Sequence, residues 1–354
     1  MANVVTLMDV AKRANVHLST ASRALSPDYA KYVGEATRLK VLRAAEELEY
    51  RPNALAQGLR KGRTGVVGVV VVHVEQPFTA TVLRGMENSL EAVGIMPLIA
   101  ETHGSSERLR RAFEHLIAWR ADAIITTAVR YGDADIIERF AREVPIVLAV
   151  RSLPGGRLPT IAHDDTVGGA LAARHLLELG HRRIGELCGP PDVSSFAQRQ
   201  AGFRAALAEG GVTETVAQTS LVGATLDEGR RAAAALLSRD GARPTAVFAH
   251  NDLMAVGAMD VFSEAGLSCP GDISVIGYDD ILFADHLVPS LTTIRLSSFH
   301  LGRMAGEMTY SLLQSPDSPP PTISLPPELI VRDSTAPPAE APGASRPPSR
   351  ARSR

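Results

Sequence analysis

The chain has 354 residues, 45% of them apolar and 21% charged, so it is too long for one ordinary domain and too apolar for disorder over most of its length. Its longest nearly unbroken apolar run, residues 65–72, is far short of the roughly 20 residues that span a bilayer. The start, MANVVTLMDVAKR, lacks a secretory pattern, so a cytoplasmic location is expected. The net charge of -2 hides an asymmetry: residues 1–64 hold 11 basic and 6 acidic side chains (+5), residues 65–334 hold 22 and 32 (-10), and residues 335–354 hold 4 and 1 (+3). A compact basic segment on an acidic body points to a polyanionic partner for the first segment alone, with nucleic acid the leading candidate.

The first predicted element opens at Thr6, whose hydroxyl suits a helix N-cap with Asp9 three residues on, giving a helix over residues 7–14. Asn15 suits a left-handed turn, and a second short helix covers residues 18–25. Ser26, Pro27 and Asp28 break the pattern. Leu39, Leu42, Ala45 and Leu48 then fall at helical spacing within residues 34–49. Pro52 and Asn53 open a fourth short segment, ALAQGL, before LRKGRT. From Gly65 onward, strands at 66–72, 95–100, 122–127, 145–150, 159–162, 183–187, 245–249 and 273–277 alternate with helical stretches, the pattern of parallel α/β sheets. So many units fit two sheets better than one, with ligands expected beyond the carboxyl ends of the strands. Residues 335–354, rich in Pro, Ala, Ser and Arg, are expected to be a disordered tail.

The stretch TLMDVAKRANVHLSTASRAL reads as a helix-turn-helix whose second helix offers Leu18, Ser19, Thr20 and Arg23 to a DNA major groove. That stretch, with YRPNALAQGLRKGRTGVVGVVV, NDLMAVGAM and SVIGYDD, resembles the LacI/GalR (lactose-repressor) family of bacterial transcription regulators over nearly all of residues 5–334. The resemblance implies a helix-turn-helix headpiece (residues 1–52) and a hinge helix and linker (53–64). A two-lobed, periplasmic-binding-protein-like α/β core with parallel sheets (65–334) follows, for effector binding and dimerisation.

Carried over by position, the resemblance places Leu18 and Ser19 among the variable base-reading side chains. Thr20 and Ser22 fall where hydroxyls approach the DNA backbone, and Arg23 where a guanidinium reads guanine; Thr6 and Asn53 complete the DNA-contacting set. Independently, a guanidinium forks onto guanine O6 and N7. His17 departs from the serine that usually caps the recognition helix, so a less firm helix start is expected. Leu59 falls where the family inserts a leucine wedge into the minor groove, though a buried linker residue has the same composition. The seven residues from Asn53 to Leu59 are too few to be helical unaided. Arg60, Lys61 and Arg63 suit phosphates or a solvated linker equally.

In the core, Asp165, Arg199, Asn251 and Asp279 are each expected to follow a strand or open a helix, where a cleft between lobes is lined. Together they form a hydroxyl-reading set of donors and acceptors. Each residue type also orders loops by hydrogen bonds or ion pairs. The resemblance implies effector contacts at Arg199, Asn251 and Asp279, with Phe78 as an apolar platform. Thr225 stands where several relatives carry an aromatic ring, and His73, Glu75 and Gln76 depart from the usual Asp-Leu-Ser-Asn run.

Catalysis is not expected, because GxxxxGK[ST], GxGxxG and GxSxG do not occur. His163, Asp164 and Asp165 put two carboxylates on one loop, pointing apart. Cys188 and Cys269 have neither metal-ligand nor disulfide spacing, so no metal and no cofactor is expected. The reading is a homodimeric, ligand-responsive regulator, most simply a repressor of a sugar transport or metabolism operon. Its expected partners are a palindromic double-stranded DNA operator and a small sugar or glycoside effector. A solute-binding protein without a transcriptional role is the alternative class, but it would need an export signal and would not carry the basic headpiece.

Overall fold

The structure, a computed structural model, describes residues 5–26, 29–50, 63–212, 216–219, 223–316 and 321–339. It falls into two compact units, Met1–Thr64 and Gly65–Arg354. Most of the expected hinge, including Asn53, Leu59, Arg60 and Lys61, lies outside the described residues.

In the first unit, α1 (Leu7–Arg13), α2 (Leu18–Ala24) and α3 (Glu35–Glu47) enclose a small core. Val10, Ala11, Ala21, Ala24, Val41, Ala44 and Ala45 fill it. Small side chains at helical spacing allow three short helices to approach closely. Asn15 takes φ +52 between α1 and α2, the left-handed turn its side chain tolerates.

The second unit holds two six-stranded sheets. Strands β1 (Val66–Val71), β2 (Met96–Glu101), β3 (Ala123–Thr126), β4 (Ile146–Ala149) and β5 (Thr160–His163) come from the first lobe. The second lobe supplies β6 (Ile184–Cys188), β7 (Val216–Thr219), β8 (Ala246–Ala249), β9 (Ser274–Asp279) and β10 (Thr292–Arg295). The chain then returns, adding β11 (Thr322–Leu325) beside β5 and β12 (Glu328–Ile330) beside β10. The orders are β11-β5-β4-β3-β1-β2 and β12-β10-β9-β8-β6-β7. Every pairing is parallel except β10 with β12. Near-continuous runs such as VVGVVV in β1 are buried because helices cover both faces of a parallel sheet.

The chain crosses between lobes after β5, after β10 and after β11. α4 (Pro77–Glu91) opens the helical layer of the first lobe and packs on α11 (Ser298–Gln314), which follows the second crossing. Between them lie α5 (Ser106–Ala118) and α6 (Ala134–Phe140). The second lobe carries α7 (Asp165–Glu178), α8 (Ser194–Glu209), α9 (Leu226–Leu237) and α10 (Asp252–Glu264). Packing continues past the expected tail boundary at 335. Thr335 Oγ1 lies 2.9 Å from His175 Nε2, and the Ala336 carbonyl lies 2.9 Å from His181 Nε2 and accepts from Ser274 Oγ at 3.0 Å. These bonds satisfy buried polar groups at the edge of the second lobe, so the first residues of that segment belong to the core.

His163 ends β5 at the first crossing, buried, with Nε2 3.4 Å from Ser297 Oγ at the second. Burial, aided by the charges of Arg199 and His300, pushes its imidazole down to about 3. Its neutral form therefore adds stability that is present in full above the ordinary histidine value and is lost as pH falls from there towards 3. On moving from neutrality to about pH 5, His163→Gln should lose less stability than the parent protein, by up to about 2 kcal/mol, in denaturant titrations at the two pH values. Equal losses would show that His163 does not carry the effect.

Candidate functional site

Two surfaces carry the expected functional residues. On the first unit, Thr6 closes the start of α1: its amide and hydroxyl donate to Asp9 Oδ2 at 2.9 and 2.6 Å. Those bonds, the side-chain one first, hold the exposed Asp9 carboxyl below its usual range. On α2, Leu18, Ser19 and Arg23 are exposed and Thr20 is half-buried, so four of the expected base- and backbone-facing side chains lie on or near one accessible face. Ser22 differs. It is buried in the headpiece beside Ala21, unlike the exposed Leu18, Ser19 and Arg23.

His17 also corrects an expectation. Its Nδ1 accepts from the Ser19 amide at 3.3 Å and lies 2.8 Å from Ser19 Oγ. The imidazole thus caps α2 in place of a serine hydroxyl.

The second surface is a cleft of about 600 Å³, open solvent at its mouth included, between the carboxyl ends of the two sheets. Phe78, Val72 and Gln76 line it from the first lobe, and Phe196, Arg199, Asn251 and Asp279 from the second. Arg199 is its centre. Contrary to expectation it neither follows a strand nor opens a helix but sits within α8, and it is buried. Its Nε donates to Asp165 Oδ1 at 2.8 Å, its Nη1 donates to the His250 carbonyl, and its Nη2 lies 3.7 Å from Asp279 Oδ1. The guanidinium carbon stacks 3.8 Å from the centre of the Tyr278 ring.

Glycines make this arrangement possible. A Cβ on Gly169 would meet the Arg199 carbonyl, one on Gly202 would meet the Thr166 carbonyl, and one on Gly168 would meet the Tyr278 hydroxyl. The backbones of α7 and α8 therefore touch, which brings the first residue of α7, Asp165, against Arg199. Asp165 does not line the cleft. Its Oδ1 accepts from both Arg199 Nε and Tyr278 Oη, the latter at 2.9 Å, so it orients the guanidinium from behind.

Asn251 caps α10, its carbonyl accepting from the Met254 amide and its amide donating to the Ala224 carbonyl, both at 2.8 Å. It borders the cleft with much of its hydrogen-bonding capacity already used. Thr225 likewise caps α9, accepting from the Glu228 amide at 3.2 Å.

The electrostatics follow from burial. Burial works against the Arg199 charge, but Asp165, Tyr278 and Asp279 outweigh it and hold the guanidinium above its ordinary value. Burial raises the Asp279 carboxyl well above the usual range despite Arg199, with Asp252 and Asp165 adding to the rise.

Arg151 was not singled out from the sequence. It lines the cleft beside Arg199, and burial, then the charges of Arg130 and Arg199, push it down to about 10. Its Nη1 donates to the Val129 carbonyl at 3.3 Å. Its position depends on Val150, which takes φ +69 with the Arg151 amide 2.7 Å from the Ala149 carbonyl. A β-branched residue in that strained γ-turn leaves no hydropathy signal.

Comparisons with known proteins cover both units. The model described as "Bacterial regulatory proteins, lacI family" matches residues 6–53, and that described as "Periplasmic binding protein-like domain" matches residues 173–335. The chain is 35% identical over 336 residues to the HTH-type transcriptional regulator GalR of Escherichia coli (strain K12), covering 95% of this chain and 97% of that one. It is 33% identical over 333 residues to the ribose operon repressor of the same strain, with 94% and 100% covered. A solved structure of the Lac repressor dimer bound to operator and the anti-inducer ONPF is similar at 29% identity and a TM-score of 0.84, with 94% and 100% covered.

The His17 cap can be tested by hydrogen exchange. His17→Ala should speed exchange of the Ser19 and Thr20 amides and cost the headpiece about 1 kcal/mol, whereas His17→Ser should restore most of the protection. Unchanged exchange in His17→Ala would mean that the imidazole does not hold the helix start.

Proposed function

The chain belongs to the lacI family of bacterial regulatory proteins, and from that premise we propose that it is a repressor of a sugar transport or metabolism operon. In this reading a homodimer binds a palindromic operator and responds to a small sugar or glycoside. A family of transcription regulators gives no place to an enzyme. Such a regulator works in the cytoplasm, where the chromosome is. One observation carries the reading: a single chain joins a helix that exposes Leu18, Ser19 and Arg23 to a cleft that closes on Arg199 and Asp279.

The headpiece supplies a base-reading face and the basic segment supplies phosphate attraction. Two headpieces are needed because one reads too few bases, and twofold symmetry matches the two halves of a palindrome. The exposed Met96 and Ile99 on edge strand β2, with Val93 just before it, offer apolar surface for pairing. Thr6, Leu18, Ser19, Thr20 and Arg23 are the proposed DNA contacts on the described residues, with Asn53 and Leu59 proposed from the sequence alone.

In the cleft, Arg199, Arg151 and Asp279 are the proposed polar effector contacts, and Phe78 and Phe196 supply flat apolar walls. Asp165 and Asn251 are proposed as supports that set those contacts. Charged and amide groups between aromatic faces suit a molecule with adjacent hydroxyls and an apolar ring face. The relatives that share this core include a ribose operon repressor, which agrees with a sugar effector.

Selection from a random duplex pool by the full chain should yield a palindrome, and affinity for it should fall steeply with salt. Arg23→Ala should weaken binding by about 1 to 3 kcal/mol and relax one base position in each half-site. Failure to enrich any palindrome would overturn the repressor reading.

Asp279→Asn keeps the shape of the cleft and replaces its ionisable carboxyl with an amide. The variant should bind operator with near-normal affinity yet lose its response to the sugar that releases or tightens the parent protein. Equal calorimetric binding of that sugar by both proteins would remove Asp279 from the effector site.

A further inference from the structure

Among the described residues, two clusters in the second unit combine imidazole with other metal-ligating groups. The first, Glu186, Cys188 and His250, is wholly buried and already satisfied. His250 Nε2 donates to Glu186 Oε1 at 3.1 Å while its Nδ1 accepts from the Gly189 amide at 3.3 Å. Glu186 Oε2 accepts from Arg204 Nε at 3.1 Å, and Cys188 Sγ accepts from Gln200 Nε2 at 3.0 Å. A cation there would have to break a complete network without access to water.

The second cluster, on the segments that leave β1 and β2, is built differently. His73 follows β1, Glu101 ends β2, and His103 lies two residues beyond it. The Nδ1 atoms of His73 and His103 face each other 3.4 Å apart. Glu101 Oε1 is 3.8 Å from His73 Nδ1, Glu101 Oε2 is 3.6 Å from His103 Nε2, and Glu75 Oε1 is 3.3 Å from His73 Nδ1. Side-chain exposures of 25%, 26% and 45% for His73, Glu101 and His103 leave the cluster reachable from solvent yet fixed on strand ends.

Two imidazoles on one tetrahedral zinc, with Zn–N bonds of about 2.0 to 2.1 Å, hold their nitrogens about 3.3 to 3.4 Å apart. The histidine pair already stands at that separation. The Val74 amide donates to Glu101 Oε1 at 2.9 Å, the kind of outer bond that orients a carboxylate ligand. His103 also takes φ +50, a left-handed backbone unusual for histidine, and that turn brings its ring to a centroid distance of 5.3 Å from His73.

The geometry points to a binding site for one divalent transition-metal ion, held by His73, His103 and Glu101, with Glu75 within reach as a further ligand. Imidazole and carboxylate without thiolate favour Zn²⁺ and the neighbouring Co²⁺ and Ni²⁺ over Mg²⁺ or Ca²⁺, which prefer all-oxygen sites. The ion joins the loop leaving β1 to the turn leaving β2. Because that loop continues to Gln76 and Phe78 on the cleft wall, the bound ion fixes part of the frame on which effector contacts are mounted. The site stands on its own residues and does not depend on the nature of the effector.

The test is calorimetric titration of the metal-stripped, untagged full chain with Zn²⁺, alongside its absorption spectrum with Co²⁺. One saturable Zn²⁺ per chain is expected. Co²⁺ should give visible tetrahedral bands without a thiolate charge-transfer band. His73→Gln and His103→Gln should each lower Zn²⁺ affinity at least about tenfold, while operator binding in the presence of a chelator stays at the parent level and shows the variants to be folded. Glu101→Gln, which leaves both rings in place, provides a second variant with the same expected loss. Absence of saturable Zn²⁺ binding, unchanged affinity in the folded His73→Gln/His103→Gln double variant, or a thiolate band tracing the ion to a cysteine would overturn the assignment.

Discussion

The second unit depends on how it keeps one positive charge out of water. Arg199 is buried within α8, and such a charge is tolerable only when its hydrogen bonds and its ion pair are complete; removal of a buried partner typically costs about 3 to 5 kcal/mol. The partners come from three separate places: Asp165 just after the first lobe crossing, the His250 carbonyl after β8, and Asp279 at the end of β9. Tyr278 closes the arrangement, its ring under the guanidinium and its hydroxyl on Asp165. The requirement of one cation therefore aligns the strand ends that form the cleft floor, and the side of the guanidinium facing the cleft is held in a single orientation.

The same economy of contact governs the lobes. Three chain crossings join them, and across the cleft they also meet directly. Arg130 Nη1 donates to both Asp192 carboxylate oxygens at 2.9 and 2.8 Å, the Tyr131 amide donates to the Asp192 carbonyl at 2.9 Å, and the Ser152 amide donates to Ser194 Oγ at 2.9 Å. Beside these polar bonds, Phe78 packs against the cores of both lobes, and a join this limited lets the lobes change their separation. A ligand can shift such an equilibrium only by its difference in affinity for the two arrangements. Residues that touch both lobes, or that fix the strand ends of one, are therefore the ones placed to couple such a difference to the lobe arrangement. Arg199 belongs to the second kind, and the residues around Val150 and Arg151 meet it from the first lobe.

Much of this was legible in the residues themselves. Apolar runs marked eight of the twelve strands among the described residues, most of them because parallel strands covered on both faces are apolar along their length. Helical spacing and turn chemistry placed the three headpiece helices to within two residues at either end, since short helices are bounded by local capping and breaking residues. The strands that escaped notice are short and polar. Thr292 and Thr293 of β10 are wholly buried, with the Thr293 hydroxyl donating to Asp252 Oδ1 at 2.6 Å, and no hydropathy pattern reveals a threonine satisfied by a partner 41 residues away.

By itself, then, the sequence determined the periodic elements, the two-unit organisation, the basic headpiece and the chemical types available in the core, because each of these is encoded by local spacing or by charge along the chain. Only the tertiary structure decided what each of those groups touches. It buried Ser22, set Asp165 behind Arg199, engaged Asn251 as a helix cap, put Arg151 into the cleft and brought His73 against His103. The physical reason is that a polar side chain's role is set by the partner that compensates its desolvation. In a fold that crosses three times between lobes, that partner is seldom a neighbour in sequence.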